Sequence, residues 1–306
     1  MTNPAAPSRE PRTPAGPDRT SVLRALGLVL VGSLGIQTSA AISSGLFGDY
    51  GTYGTSAVRM LIAAVLMLVI VRPRLRGRGR REWLGICVYG VAMAAMNLCL
   101  YNAIDRIPLG VAVTLDFLGP CAIALLGSRR LREGLCALVA VAGVALISAG
   151  PLGYFDLAGY LFALGAAFFF AVYTVGADRI GKASSGLDGV ALSVTIAAVV
   201  TLPIAVPQLP RIDGPDWWLF TFSAVIGVAI PFSVDTIAGR ITSARIIGVL
   251  FAVDPALSSL VGFVLLGQAM SPQAIAGIGL VAVAGALIVW FAKQPNPVGA
   301  HPLPPE

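Results

Sequence analysis

Ten apolar segments, each about as long as a bilayer is thick, run down this chain, and its basic residues crowd into alternate gaps between them. A helix needs roughly 20 mostly apolar residues to cross about 30 Å of hydrocarbon. The segments fall near residues 24–45, 53–71, 83–104, 108–127, 134–150, 157–177, 188–207, 217–238, 246–266 and 272–292. The fold expected from them is an all-α integral membrane protein with ten transmembrane helices.

Of the 21 Lys and Arg, 18 lie on one side of this map. They are Arg9, Arg12, Arg19 and Arg24 at the start, then Arg72, Arg74, Arg76, Arg78, Arg80 and Arg81 in the second gap. Arg129, Arg130 and Arg132 follow in the fourth gap, Arg179 and Lys182 in the sixth, Arg240 and Arg245 in the eighth, and Lys293 after the last segment. Only Arg106 and Arg211 fall in the opposite gaps, and Arg59 lies inside a segment. The positive-inside rule then predicts that both termini are cytoplasmic. A missed or invented helix would scramble the alternation, so it also supports the number ten.

The chain is 57% hydrophobic and 12% charged, with mean hydropathy +0.84. A soluble domain carries about 25% charged residues. The net charge of +6 therefore reflects the cytoplasmic arginine bias, not a nucleic-acid partner. The Arg72–Arg81 cluster either sets topology alone or also touches anionic lipid heads. Residues 1–20 and 294–306 are rich in Pro and read as disordered cytoplasmic tails. The first apolar run is too long for a cleaved signal peptide and lacks a small-residue cleavage site. Cys87, Cys99, Cys121 and Cys136 all sit in segments and read as packing residues, not as disulfides or metal ligands.

The chain divides into two five-segment halves, 21–150 and 156–293. The first contains RIPLGVAVTLDFLGP from Arg106 to Pro120, and the second RITSARIIGVLFAVDP from Arg240 to Pro255. Each puts an Asp near the middle of its half's fourth segment, close to a Pro. The halves end in similar runs, VAGVALIS and VAGALIVW. Because five is odd, a repeat of five spans enters its second half from the opposite side. The expected arrangement is an inverted pair, typical of secondary transporters that hold substrate near the midplane.

Charged and polar residues inside the segments are the site candidates. Arg59 either holds an anionic group such as a carboxylate, makes a structural ion pair, or snorkels to the outer interface. Asp116 is central in segment 4, and Pro120 four residues later has no N–H to give its carbonyl. That pairing suits a cation, an ammonium group or a proton; the alternative is a buried Asp that ties two helices together. Asp254 with Pro255 is its counterpart in the second half. Asp235 lies near the cytoplasmic end of segment 8 and reads as solvated or capping. Asn97, Asn102 and Gln37 can bind substrate, or bond helix to helix. Pro203 and Pro231 are expected to bend segments 7 and 8. The 35 glycines suit close helix packing.

At IPLGVAVTLDFLGPCAIALLGSRR, from Ile107 to Arg130, the sequence resembles the drug/metabolite transporter superfamily in its EamA branch. The resemblance continues at YGVAMAAMNLCLYNAI and at PFSVDTIAGRITSARIIGVLFAVDPALSSLVGFVLLGQAMSP, and covers nearly all ten segments. Within the branch it is similar to the bacterial threonine/homoserine exporters, whose pattern Arg59 matches. Those exporters tend to carry Glu where this chain has Asp116 and Asp254, and their LGExLTP-like segment stands here as LGQAMSP, with Gln268 in place of the acid.

The resemblance implies a proton-coupled exporter of small amino acids, such as threonine or homoserine, in the plasma (inner) membrane. Its partners would be a small-molecule substrate, protons and the lipid bilayer; a homodimer stays open. The runner-up is a broad drug or metabolite exporter of the same superfamily, with Phe168, Phe169, Phe170 and Tyr173 as a cavity wall or as plain core. An intramembrane enzyme is disfavoured. The only histidine, His301, is in the tail, and there is no HExxH, paired GxGD or Ser–His arrangement. No P-loop for ATP exists, and no cofactor or metal is expected.

Overall fold

A computed structural model describes residues 19–126, 131–148, 156–183, 187–241 and 251–291. Arg129, Arg130, Arg245, Lys293, His301 and most of both expected tails lie outside these residues. Every regular element among the described residues is helical. Hydrocarbon offers the backbone no hydrogen bonds, and a helix satisfies its own.

Helix α1 spans Arg19–Ser44, α2 Phe47–Val71 and α3 Arg80–Ile104. Two short helices follow, α4 (Leu109–Asp116) and α5 (Leu118–Leu126), then α6 (Leu131–Ser148). The second half begins with α7 (Leu157–Ala183) and α8 (Leu187–Ala205), and the latter tightens into a 3-10 turn at Val206–Arg211. Next come α9 (Gly214–Ala224), a π-helical turn (Val225–Ala229) and α10 (Ile230–Ile241). The last two helices are α11 (Asp254–Leu266) and α12 (Pro272–Phe291).

Five stretches are long and apolar enough to cross a membrane: Leu23–Ser44, Phe47–Val71, Arg80–Ile104, Leu187–Arg211 and Gly214–Val234. Shorter apolar helices occupy the other five segments. The outward faces are apolar, with Ile70 72% exposed and Trp218 76% exposed. Such a surface suits lipid, not water.

The helices depart from straight rods where the sequence supplies a reason. In α2, Gly51 has φ 68° and ψ 164°, a region that is essentially glycine's alone. Phe47–Tyr50 is thus a separate turn ahead of the main helix, which is why the apolar pattern starts at residue 53. The fourth segment is not one helix: α4 ends on Asp116 and α5 begins at Leu118. Pro120 has no N–H for the Asp116 carbonyl, and the next bond, Cys121 N–H to Phe117 O, is long at 3.5 Å. In the ninth segment Ala252 and Val253 form a turn, and Asp254 opens α11 with Pro255 in its first turn. Proline suits that position, where its missing N–H would be unpaired anyway. In segment 8 the π turn ends just before Pro231. The wider turn accommodates the ring, which would crowd the Gly227 carbonyl in a regular helix.

The most extensive interfaces join the halves: α3 with α7, α6 with α12, α2 with α8, and α1 with α10. Gly143 and Gly277 make the α6–α12 contact possible. A Cβ on Gly143 would stand 2.7 Å from the Gly277 carbonyl oxygen, and one on Gly277 2.5 Å from that of Gly143. The four cysteines are free.

Candidate functional site

Two polar clusters interrupt this apolar interior, and α1 runs through both. The first surrounds Arg59, which is 3% exposed. Its Nη1 donates to Ser39 Oγ at 2.8 Å and its Nη2 to Asn97 Oδ1 at 2.5 Å. Asn97 in turn donates from Nδ2 to the Met93 carbonyl at 3.1 Å, which fixes the amide. The guanidinium lies 4.6 Å from the centroid of the Tyr101 ring, a favourable cation–π distance. Ser39 Oγ and Ser43 Oγ each lie 2.7 Å from Ser223 Oγ on α9. The Tyr101 hydroxyl faces the same serines. Gly227, in the π turn, leaves the room: a Cβ there would collide with the Ser39 hydroxyl and stand 3.0 Å from Arg59 Nη1.

Arg59 has no acid. The ion pairs among the described residues join Arg78 to Glu82 and to Asp188, at the N-terminal ends of α3 and α8. Arg59 Nε is buried without a hydrogen-bond partner. A buried guanidinium without a counter-ion is costly, and it is ready to receive an anion that brings its own charge.

The second cluster lies one to two turns back along α1. Asp116, 5% exposed, ends α4; Asp254 opens α11. Each leaves its Oδ1 buried and unpartnered. The two carboxylates are within electrostatic reach of each other, and Ser33 on α1 faces Asp254. Ser33 Oγ and Gln37 Oε1 are likewise buried without a close partner. The aspartates thus stand at two broken helix ends, one from each half. Asp116 lies at the negative end of α4, where a cation is favoured, and Asp254 at the positive end of α11.

The sequence as a whole now has comparators. The EamA-like transporter family matches twice, at residues 23–153 and 157–290. The chain belongs to that family. The threonine/homoserine exporter RhtA of Escherichia coli (strain K12) is 31% identical over 267 residues, spanning 84% of this chain and 88% of that protein. RhtA of Salmonella typhimurium (strain LT2) is 30% identical over 280 residues, spanning 88% and 92%. A crystal structure 19% identical to this chain matches with a TM-score of 0.61 over 87% of this chain and 97% of that one. At that identity it speaks for the fold alone. Membership in the EamA-like family makes the chain a multi-pass membrane transporter, not an enzyme.

Within this EamA-like protein the candidate residues separate. Asp116 and Asp254 come together; Arg59 and Asn97 come together; no salt bridge links Arg59 to either aspartate. Asn102 belongs to neither cluster. Its Oδ1 accepts from Thr52 Oγ1 at 2.9 Å and its Nδ2 donates to the Leu98 carbonyl at 2.8 Å, so it ties α2 to α3. Pro120 and Pro255 sit at the two helix breaks beside the aspartates. Phe170, Tyr173, Tyr89 and Phe232 pack on one another, with Tyr89 and Tyr173 stacked at 4.4 Å. Phe168 is 63% exposed on the outer face. Phe170 and Tyr173 are core and Phe168 is outer surface, while Phe169 lines an apolar crevice of about 270 Å³ with Cys87, Val88, Val91, Ala92 and Val172.

Residues that single-position reading missed are the serines and Tyr101. The signal was present in α1 as QTSAAISS, a run of small polar residues inside an apolar span. Gln268 also gains a role. Its Oε1 accepts the Leu109 N–H at 3.0 Å, capping the start of α4 from the other half. An amide oxygen serves there as well as the carboxylate of the LGExLTP pattern.

Proposed function

We propose that this chain is a proton-coupled exporter of small zwitterionic amino acids, of the threonine or homoserine kind, in the plasma (inner) membrane. In this reading it has ten transmembrane helices with both termini cytoplasmic. Residues 21–150 and 156–293 form two inverted five-helix repeats. The order of helix pairing supports the repeat. Exchanging the halves maps the α2–α8, α4–α11 and α6–α12 pairs onto themselves and swaps α3–α7 with α1–α10.

The observation that carries the substrate class is the pair of incomplete clusters along α1. Among the described residues Arg59 is a buried cation lacking an anion, and the buried Asp116 and half-buried Asp254 each leave a buried Oδ1 without a partner. Ser33 and Ser39 are six residues apart, about 9 Å along the helix. An amino acid carries the complement of both, with a carboxylate for Arg59 and an ammonium for the aspartates. The threonine/homoserine exporters named above support the same class. Export against a gradient needs an energy source; the proton gradient supplies it, and the aspartates couple it by exchanging ammonium for proton as the halves rock.

Counterflow in proteoliposomes tests the class. Vesicles loaded with unlabelled threonine are expected to take up labelled threonine and homoserine, with Arg59→Leu abolishing uptake. Exchange of hydrophobic cations, without exchange of amino acids, would turn the reading to a drug exporter.

A further inference from the structure

The unpartnered polar atoms of the second cluster can be counted against a ligand. Three are acceptors: Asp116 Oδ1, Asp254 Oδ1 and Gln37 Oε1. The fourth, Ser33 Oγ, has a hydroxyl to donate and lies beside Asp254. Ser33 is 1% exposed and Gln37 3% exposed. Gln37 follows Ser33 by four residues, so both project from one face of α1, a turn apart. α1 packs against α11, which carries Asp254. Buried polar groups are normally paired. Four buried orphans from three helices and both halves, with Gln37 on the same face of α1 as Ser33, which faces Asp254, mark a site whose ligand supplies three donors.

We propose that Ser33 and Gln37 complete, with Asp116 and Asp254, a site for one primary ammonium group, and that one proton stays on the aspartate pair while the ammonium is bound. This rests on the amino-acid reading above and deepens it. An –NH3+ group has three N–H donors and no acceptor, which matches the three free acceptors one for one. With the ammonium bound, Ser33 donates to the second oxygen of Asp254 and keeps that carboxylate turned inward. Charge balance follows. Two carboxylates bring two negative charges into the hydrocarbon; the ammonium cancels one and a proton the other. When the amine leaves outward, a second proton replaces it, so each turnover exchanges one substrate for one proton. The groups facing the aspartates are each other, Ser33 on α1 and Cys99 on α3, which lies within electrostatic reach of Asp116. Among the described residues that set holds no Lys or Arg.

The site has a specificity consequence. Each methyl on the amine removes one donor and leaves one acceptor orphaned. A hydrogen bond to a charged group contributes about 1.5–3 kcal/mol, equivalent to roughly 10- to 100-fold in affinity. Competition against labelled threonine counterflow, in proteoliposomes of the full chain, measures this. N-methylthreonine is expected to compete at least tenfold more weakly than threonine, and the N-trimethyl derivative not at all. Gln37→Leu should weaken threonine at least tenfold while narrowing its advantage over N-methylthreonine, because the acceptor for the third N–H is gone. Gln37→Asn, which keeps a shorter amide, should recover part of the loss. Size-exclusion elution as a single species controls for folding. In net threonine transport, with no threonine on the opposite side, a pH-sensitive dye inside the vesicles should report one proton per threonine moved.

If wild-type protein exchanges threonine but methylation of the amine changes nothing, the ammonium site is overturned while the amino-acid reading stands. The same holds if net transport requires sodium and moves no proton, which would assign the cluster to an alkali cation. If wild-type protein exchanges no amino acid, the amino-acid reading itself falls and the ammonium site with it.

Discussion

Asn97 and Asn102 lie five residues apart on one helix, yet they do different work. Asn97 holds Arg59 through its Oδ1; Asn102 takes the Thr52 hydroxyl and stays outside both clusters. Asn97→Leu should cost about 1–3 kcal/mol, since it strands a buried guanidinium N–H, and should abolish threonine counterflow. Asn102→Leu should cost about 1 kcal/mol or less, as typical for a hydrogen bond between membrane helices, and leave the apparent affinity unchanged. Thermal unfolding in detergent and counterflow on the two variants check this pair. Equal transport defects would contradict the division. The sequence identified Arg59, Asp116 and Asp254 because a charge in hydrocarbon is conspicuous at any position. It could not rank the two asparagines, because a polar side chain in a span reads the same whether it faces a neighbour or a site. Nor could it single out Ser39, Ser43 and Ser223, whose meeting across 184 and 180 residues depends on packing.

At the scale of elements, the breaks at Asp116 and Asp254 matter more than the helices they divide. The Pro next to each acid was legible, and so was the loss of a bond from the Asp116 carbonyl. What was not legible is that Asp116 closes one helix while Asp254 opens another, since a proline can end, kink or start a helix depending on its neighbours. The glycine breaks were likewise hidden among 35 glycines. Gly51 is the one whose backbone requires it within α2. Gly51→Ala should lower stability by about 1–3 kcal/mol through backbone strain, read as a lower melting temperature, while Gly48→Ala, with open space around it, should not. Gln268 offers a second test. Gln268→Leu strands the Leu109 N–H and should cost about 1–3 kcal/mol, whereas Gln268→Glu keeps an acceptor and should be mild. If both variants melt alike, the cap contributes nothing to α4.

Taken as one molecule, the chain is two clusters threaded on α1 and enclosed by paired helices from both halves. The apolar segments and the bias of 18 basic residues were legible because hydrocarbon punishes charge uniformly along the chain. Which helices pair was not, because between membrane helices apolar surface carries no address and small residues decide the approach. A cysteine placed at Ser8, in a background free of the four native cysteines, should label only from the cytoplasmic face; labelling from outside would sink the topology and the inverted repeat.

In the proposed mechanism Asp116 couples protons to substrate movement, holding the amine when deprotonated and releasing it when protonated. Asp116→Asn has nearly the same volume and should preserve the fold, and Asp116→Glu restores the residue the exporters tend to carry and should be the mildest change. The direct measurement is threonine accumulation by vesicles with and without an imposed pH gradient. Wild-type protein and Asp116→Glu should concentrate threonine in response to the gradient, and Asp116→Asn should only equilibrate it. If Asp116→Asn still concentrates threonine under the gradient, Asp116 is not the coupling acid and the account is contradicted.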